Sequence, residues 1–364
     1  MKIALFLNTP AQVHFYKNIR KGLIENGHDV TVLARDYDYA STILQELAID
    51  HSVYANTPIS KTGKLLQFPH DVLTAYSLLR RREPDMIVDA GLYGAYTSRL
   101  LRSRTILFTD SESTPLQFLL AIPFVEAIIT PSCFLRTLGP KQEYVASYKE
   151  LAYLHPKYYS PDLAIVKELG LDDNGGFVLV RFNRFDALHD LGVNGFSLEA
   201  KRELVRRLER YVRVVISCEM PLPEDLDAYR IDFPKSRIHD LISGARLVVA
   251  DTGTMVTEAA CLGTPAVMLH PRARQYGNFV ELEDRYGLIR TFSHDWKGAI
   301  DAAEVIAQNQ RVKAEWIDKK ELLLREKVDM TDYMIKTIER FACSRAQNLS
   351  CSEKNRAPSN ANDE

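Results

Sequence analysis

The chain has 364 residues, of which 46% are hydrophobic and 26% charged, and its formal net charge is −2. This composition is typical of a folded globular protein, and the length is sufficient for two domains of ordinary size. A nearly neutral chain lacks the broad positive charge that binds nucleic acid, so we expect no nucleic-acid partner.

The cysteines and the apolar segments indicate the cellular compartment. The five cysteines are scattered, odd in number and without metal-ligand spacing, so we expect neither a disulfide framework nor a metal site. The most apolar stretch, 116–130, is too short to span a bilayer and contains Pro123 and Glu126. The first strand begins at residue 2, which leaves no room for a signal peptide. The sequence predicts a cytoplasmic protein.

Strands and helices alternate in the first part of the chain. Apolar runs predict strands at 2–7, 29–34, 85–89, 104–108 and 127–130. Phe15, Ile19 and Leu23 share one face of a helix that ends at Gly27, and a second amphipathic helix covers 65–79. This alternation indicates right-handed crossovers and a parallel sheet.

A second α/β set follows a polar connector. Its predicted strands are 177–181, 212–217, 247–250, 266–269 and 288–291, and a long helical segment covers 313–341. The predicted division is a Rossmann-like domain at 1–146, a connector at 147–162, a second Rossmann-like domain with its terminal helix at 163–341, and a disordered tail at 342–364.

The most informative segment is the turn Asp251-Thr252-Gly253-Thr254, which lies between a buried strand and a helix. Backbone N–H groups at a helix start have no internal partners and carry the positive end of the helix dipole, so the turn suits a phosphate. Glu258 lies one turn further on the same helix face, where its carboxylate could accept hydrogen bonds from sugar hydroxyls. The alternative is an ordinary helix cap followed by a solvent-exposed glutamate.

Two common nucleotide motifs are missing from the sequence. Neither half has Gly-x-Gly-x-x-Gly after its first strand, and no Gly-x-x-x-x-Gly-Lys-Ser/Thr loop occurs. These absences disfavour NAD-dependent hydride transfer and P-loop ATP hydrolysis.

Four candidate catalytic residues lie near strand ends of the first half. His14 is at the start of the first helix, where a neutral imidazole could act as a general base or contact a phosphate. Asp89 ends one strand, and Asp110 and Glu112 follow another, so their carboxylates could converge on a cleft. The alternatives are a histidine bonded to its own loop and acids that only form turns.

The first strand of the second half is followed by a charged segment, 181–190. Arg181 could bind a phosphate through two parallel hydrogen bonds, and His189 could be oriented by Asp190 and act as a further catalytic group. The alternative is a surface loop with ordinary ion pairs.

The turn and its glutamate resemble the nucleotide-sugar domain of GT-B enzymes, especially the non-hydrolysing UDP-N-acetylglucosamine 2-epimerases. That resemblance implies that Thr252, Gly253 and Thr254 bind the diphosphate and that Glu258 binds the ribose. The sequence departs from the epimerase pattern at Thr254, which replaces a glycine, and in the first loop, which lacks the Arg and Lys of those enzymes.

Nearly the whole chain, 1–341, is similar to a prokaryotic family of unknown function that is grouped with GT-B glycosyltransferases. The matching segments are 9–15, 108–112, 154–158, 180–182, 188–190, 232–239, 251–254 and 278–282. The resemblance implies an α/β, GT-B-like fold in which two Rossmann-like domains face a cleft.

The leading functional hypothesis is a metal-independent, nucleotide-sugar-dependent glycosyltransferase of surface polysaccharide or glycoconjugate synthesis. It would use a UDP-linked donor as substrate, no cofactor, and a glycan or lipid-linked acceptor. The alternatives are an epimerase-like enzyme whose acids and His189 exchange protons at the sugar, and a non-catalytic nucleotide-sugar binder. Contact of the apolar run 118–124 with a membrane surface and formation of a homodimer are further hypotheses; core packing is the alternative for the run.

Overall fold

The computed structural model describes residues 1–56, 61–113, 115–172, 175–182, 195–218, 221–309 and 311–354. The predicted site residues His189 and Asp190 lie outside these ranges.

A seven-stranded parallel sheet, in the order β3-β2-β1-β4-β5-β6-β7, forms the centre of the first domain. Its strands are β1 Lys2–Leu7, β2 Asp29–Asp36, β3 Ser52–Asn56, β4 Met86–Asp89, β5 Arg104–Phe108, β6 Ala127–Pro131 and β7 Gln142–Val145. The central strands are buried almost throughout, which explains why they read as continuous apolar runs.

The second domain contains a five-stranded parallel sheet in the order β12-β11-β10-β8-β9. Its strands are β8 Phe177–Phe182, β9 Arg213–Cys218, β10 Leu247–Ala250, β11 Ala266–Leu269 and β12 Ile289–Phe292. The strand order reverses beside β10, and the crevice outside such a switch point is where open α/β folds bind ligands.

Helices cover both sheets. Those that follow strands of the first domain are α1 Pro10–Glu25, α2 Ala40–Glu46, α3 Lys61–Leu79, α4 Leu92–Leu101 and α5 Pro115–Ala121. The remainder are α6 Leu151–Leu154, α7 Ala164–Glu168, α8 Leu198–Leu208, α9 Glu224–Asp227, α10 Ile238–Gly244, α11 Gly253–Leu262, α12 Gly277–Asp284, α13 Trp296–Gln308, α14 Val312–Glu326 and α15 Met330–Lys354. Thr9 caps α1 by accepting from the Gln12 amide, and Pro10 occupies its first turn.

The last helix returns to the first domain. Buried Met330, Met334 and Ile338 recur every four residues along α15, and this apolar face packs on α1, β4 and β5. Arg104 donates to the Phe341 carbonyl and His28 lies 3.0 Å from Glu339. The structure therefore differs from the predicted division, which assigned the whole of 163–341 to the second domain.

Helix α15 also extends beyond residue 342, where the sequence analysis predicted a disordered tail. The stretch contains alanine at 342 and 346, which has the most favourable helix propensity, and it continues from turns that are already anchored on the first domain. The remainder of the predicted tail, 355–364, lies outside the described residues.

The apolar run at 118–124 is divided between core and surface. Phe118 is buried, whereas Leu119 is 67% exposed. The described part of the chain contains no helix with the length and apolar character needed to span a membrane.

Candidate functional site

The turn after β10 forms the start of α11, as the sequence predicts. Thr252 is in the N-cap position with extended backbone (φ −125°, ψ 139°), and its side chain makes no capping hydrogen bond to a described residue. The Thr252 side chain therefore leaves the first amides of α11 available to another hydrogen-bond acceptor, such as a phosphate. A Cβ at Gly253 would lie 2.2 Å from Cζ of Phe279, so the packing of this ring requires glycine there.

Glu258 lies one turn into α11, between the two domains. It is only 5% exposed, and its Oε1 accepts a hydrogen bond of 2.8 Å from the Tyr153 hydroxyl and lies 3.0 Å from Nε2 of His239. Burial raises the pKa of Glu258 to about 7 and lowers that of His239 to about 3, so the imidazole is neutral. The alternative of a solvent-exposed glutamate is excluded.

His14 extends this group from the first domain. Its ring centroid is 4.5 Å from that of His239, in an edge-to-face arrangement, and 5.6 Å from that of Tyr153. His14 is 3% exposed, and neither ring nitrogen has a hydrogen-bond partner among the described residues. Burial lowers its pKa well below the usual value, which keeps the ring neutral. The alternative in which His14 bonds to its own loop is therefore wrong. We call His14, Tyr153, His239 and Glu258 the interdomain cluster.

Asp89 has a different environment from the one its strand-end position suggested. Its Oδ1 accepts from the Ala90 amide (2.7 Å) and from Asn8 Nδ2 (2.9 Å), and its Oδ2 accepts from the Gly94 amide (2.7 Å). Burial raises its pKa to about 6 although these donors oppose the increase. Asp89 holds the start of α4 and makes no described contact with the interdomain cluster.

Replacing Asp89 by alanine is expected to destabilise the protein by about 3 kcal/mol, because the amides of Ala90 and Gly94 lose their acceptor in a buried site. Urea unfolding of the wild type and the variant measures this loss directly. Equal free energies of unfolding would contradict the anchoring role.

Asp110 is neutralised by an ion pair. Its carboxylate lies 2.7 Å from Nζ of Lys149, and that ammonium also lies 3.5 Å from Glu150. Burial of Lys149 lowers its pKa, but the two carboxylates outweigh this effect and raise it overall. Burial raises the pKa of Glu150 to about 7. Asp110, Lys149 and Glu150 form a second polar group. The positive charge of Lys149 lowers the pKa of Glu258, in opposition to the larger effect of burial.

Glu112 connects the two domains. Its Oε1 accepts from the amide of Gly277, at the start of α12, at 2.8 Å and from the Leu135 amide at 3.2 Å. A Cβ at Gly277 would lie 1.6 Å from the Cys133 carbonyl oxygen, so the backbones of the two domains are in close contact here. Through these described hydrogen bonds, Glu112 joins the first domain to the second.

Arg181 ends β8 close to the turn. Its guanidinium donates to the Ser217 hydroxyl at 3.2 Å, and its carbonyl accepts from the Asp251 amide at 3.3 Å. The positive charge of Arg181 lowers the pKa of Glu258, in opposition to the larger effect of burial. Arg181 and Glu258 are therefore electrostatically coupled.

The structure brings His14 and Glu258 together, and it adds residues to which the sequence analysis gave no role. Tyr153 and His239 belong to the cluster, and Lys149 and Glu150 lie behind it. The only sequence signal for His239 was its place in the family-like segment 232–239, which carried no chemical assignment. The described residues include no group of three His, Cys, Asp or Glu that could hold a metal ion.

Solved structures share this architecture. S. aureus MnaA, in a structure with UDP, is similar at a TM-score of 0.65 and 11% identity, over 92% of this chain and 94% of that one. The UDP-GlcNAc 2-epimerase from Methanocaldococcus jannaschii, in complex with UDP-GlcNAc and UDP, gives 0.61 and 15%, over 85% and 93%. The Streptomyces sp. SF2575 glycosyltransferase SsfS6, complexed with thymidine diphosphate, gives 0.56 and 13%, over 93% and 99%.

These likenesses confirm the expected GT-B-like α/β fold with two parallel sheets. Among curated proteins none matches the chain. The family described as "Protein of unknown function (DUF354)" matches residues 1–342, and the chain belongs to that family.

Proposed function

We propose that the protein is a nucleotide-sugar-dependent glycosyltransferase of the GT-B type with a UDP-linked donor. The observation that carries this proposal is the uncapped start of α11, followed one turn later by a buried, hydrogen-bonded glutamate between two domains. The likeness to structures that hold UDP or thymidine diphosphate supports a nucleotide-sugar ligand.

In this proposal the donor diphosphate binds to the amides of Thr252, Gly253 and Thr254, and Glu258 accepts a hydrogen bond from the ribose. The helix dipole and Arg181 stabilise the negative charge that develops on the departing diphosphate, which removes the need for a metal ion. Binding of the leaving group in this way lowers the barrier because its negative charge is greater in the transition state than in the bound donor.

His14 is the proposed general base for the acceptor hydroxyl. Its ring is neutral and neither nitrogen has a partner among the described residues, so one nitrogen has a lone pair that can accept a hydrogen bond from the acceptor hydroxyl. Asp110 is less suited to this role because Lys149 already neutralises its carboxylate. A glycan or lipid-linked acceptor of surface polysaccharide or glycoconjugate synthesis is the proposed class.

Glu258→Ala is expected to weaken UDP binding at least tenfold, because the buried carboxylate is the proposed ribose acceptor. Isothermal titration calorimetry with UDP, GDP, CDP and dTDP measures the affinity and identifies the base. Glu315→Ala, an exposed glutamate of the same domain, is the control and should bind like the wild type. Wild-type protein that binds none of these nucleotides would overturn the proposed function.

A UDP-N-acetylglucosamine 2-epimerase-like reaction is the second candidate, favoured by the likeness to the Methanocaldococcus jannaschii enzyme. This reaction requires acids that exchange a proton at the sugar ring. Asp89 and Glu112 are poorly suited to that role because their carboxylate oxygens already accept hydrogen bonds from backbone amides. Deuterium from solvent entering the sugar of recovered donor would support this reaction, and glycosyl transfer without exchange would exclude it.

A further inference from the structure

The Glu258 carboxylate is held asymmetrically. Both described hydrogen-bonding neighbours, the Tyr153 hydroxyl and the His239 imidazole, are on Oε1 at 2.8 Å and 3.0 Å. The described residues offer no hydrogen-bond donor to Oε2. A carboxylate fixed through one oxygen presents the other in a defined direction.

The two neighbours come from different parts of the fold. Tyr153 belongs to α6 in the connector, and Asn18 and Thr331 fix this short helix by donating to the Ala152 carbonyl at 2.9 Å and 2.7 Å. His239 belongs to α10 of the second domain. The orientation of Glu258 therefore depends on segments that meet only when both domains are packed together.

We propose that Tyr153 and His239 are positioning residues that aim Oε2 of Glu258 at the 2′ hydroxyl of the donor's ribose. This inference rests on the proposed function, since it assumes that Glu258 binds the ribose. A carboxylate that is already oriented loses less conformational freedom when the donor binds, so removal of either neighbour lowers the affinity without removing the contact itself. The hydroxyl to be recognised is specific to ribonucleotides.

The test compares UDP with 2′-deoxy-UDP by isothermal titration calorimetry, because only the first has the 2′ hydroxyl. Tyr153→Phe keeps the buried ring and removes the hydroxyl. We expect UDP to bind this variant about tenfold more weakly and 2′-deoxy-UDP to bind unchanged, so that the preference for UDP falls by the same factor. A purely structural role for Tyr153 would weaken both ligands equally.

Tyr159→Phe is the matched control. Tyr159 lies in the same connector and donates to Asp240 at 2.6 Å instead of to Glu258, so its removal should leave the preference for UDP at the wild-type value. At the second position, His239→Ala should reduce the preference for UDP over 2′-deoxy-UDP. His239→Gln should restore part of this preference, because the glutamine amide can donate a hydrogen bond to Glu258.

The outcomes separate the positioning inference from the proposed function. If Glu258→Gln loses the preference for UDP and Tyr153→Phe keeps it, the positioning role is overturned while ribose binding by Glu258 stands. If the wild type does not bind UDP, or if Glu258→Gln keeps the preference, both are overturned.

Discussion

Gly277→Ala is expected to separate the two domains along one edge and to destabilise the protein. The added methyl group would lie 1.6 Å from the Cys133 carbonyl oxygen, a backbone atom that cannot rotate away. The displacement would also break the hydrogen bond from the Gly277 amide to Glu112. We expect a loss of about 3 kcal/mol in the free energy of unfolding, at the upper end for overpacking. Urea unfolding and small-angle scattering measure the two effects.

Gly91→Ala is the control for this substitution. A Cβ at Gly91 would lie 3.4 Å from Nε2 of Gln117, the end of a flexible side chain, and its φ of −148° suits any residue. This variant should unfold and scatter like the wild type. If Gly277→Ala did the same, the close backbone contact between the domains would be contradicted.

Glu258→Gln is expected to change the pH dependence of stability. Burial raises the pKa of Glu258 from 4.5 to about 7, so the folded protein holds this proton more tightly than the unfolded chain. The resulting stability is present at low pH and is lost as the pH rises from about 4.5 through about 7. The loss is about 3 kcal/mol, and glutamine, which does not ionise, avoids it.

Urea unfolding at pH 5 and pH 8 tests this expectation. The variant should gain stability relative to the wild type between the two values, whatever its stability at pH 5. Glu150, which titrates in the same range, is present in both proteins, so its effect largely cancels in the comparison. Parallel stabilities of the two proteins across this range would show that Glu258 ionises at its ordinary pKa.

The sequence predicted all five strands of the second sheet and the central strands of the first sheet, but not the two edge strands of the first sheet. The strands 247–250 and 266–269 have the predicted bounds because both are buried apolar runs, and Gly263, at φ +75°, ends the helix between them. Strands β3 and β7 were missed. Both lie at sheet edges and carry polar or exposed residues, so they lack the apolar run that identifies a central strand.

The candidate site was predictable only where local sequence determines it. His14 and Glu258 were found because each lies at a defined place near a helix start. Tyr153 was missed because its partner Glu258 is 105 residues away, and only the packing of the domains brings them together. Asp89 illustrates the opposite case, in which a local pattern suggested a site residue. A carboxylate that follows a strand can accept hydrogen bonds from the next helix, as Asp89 does, and need not bind a substrate.

The two chain segments that join the domains are bonded to each other. The Val328 amide donates to the Ala146 carbonyl at 2.9 Å, and the Ser147 hydroxyl donates to the Val328 carbonyl at 2.8 Å. The chain therefore crosses between the domains twice at one place, and these hydrogen bonds join the two crossings. The first domain also depends on chain that follows the second domain: a fragment ending before Met330 would leave the surface that α15 covers on the first domain open to water.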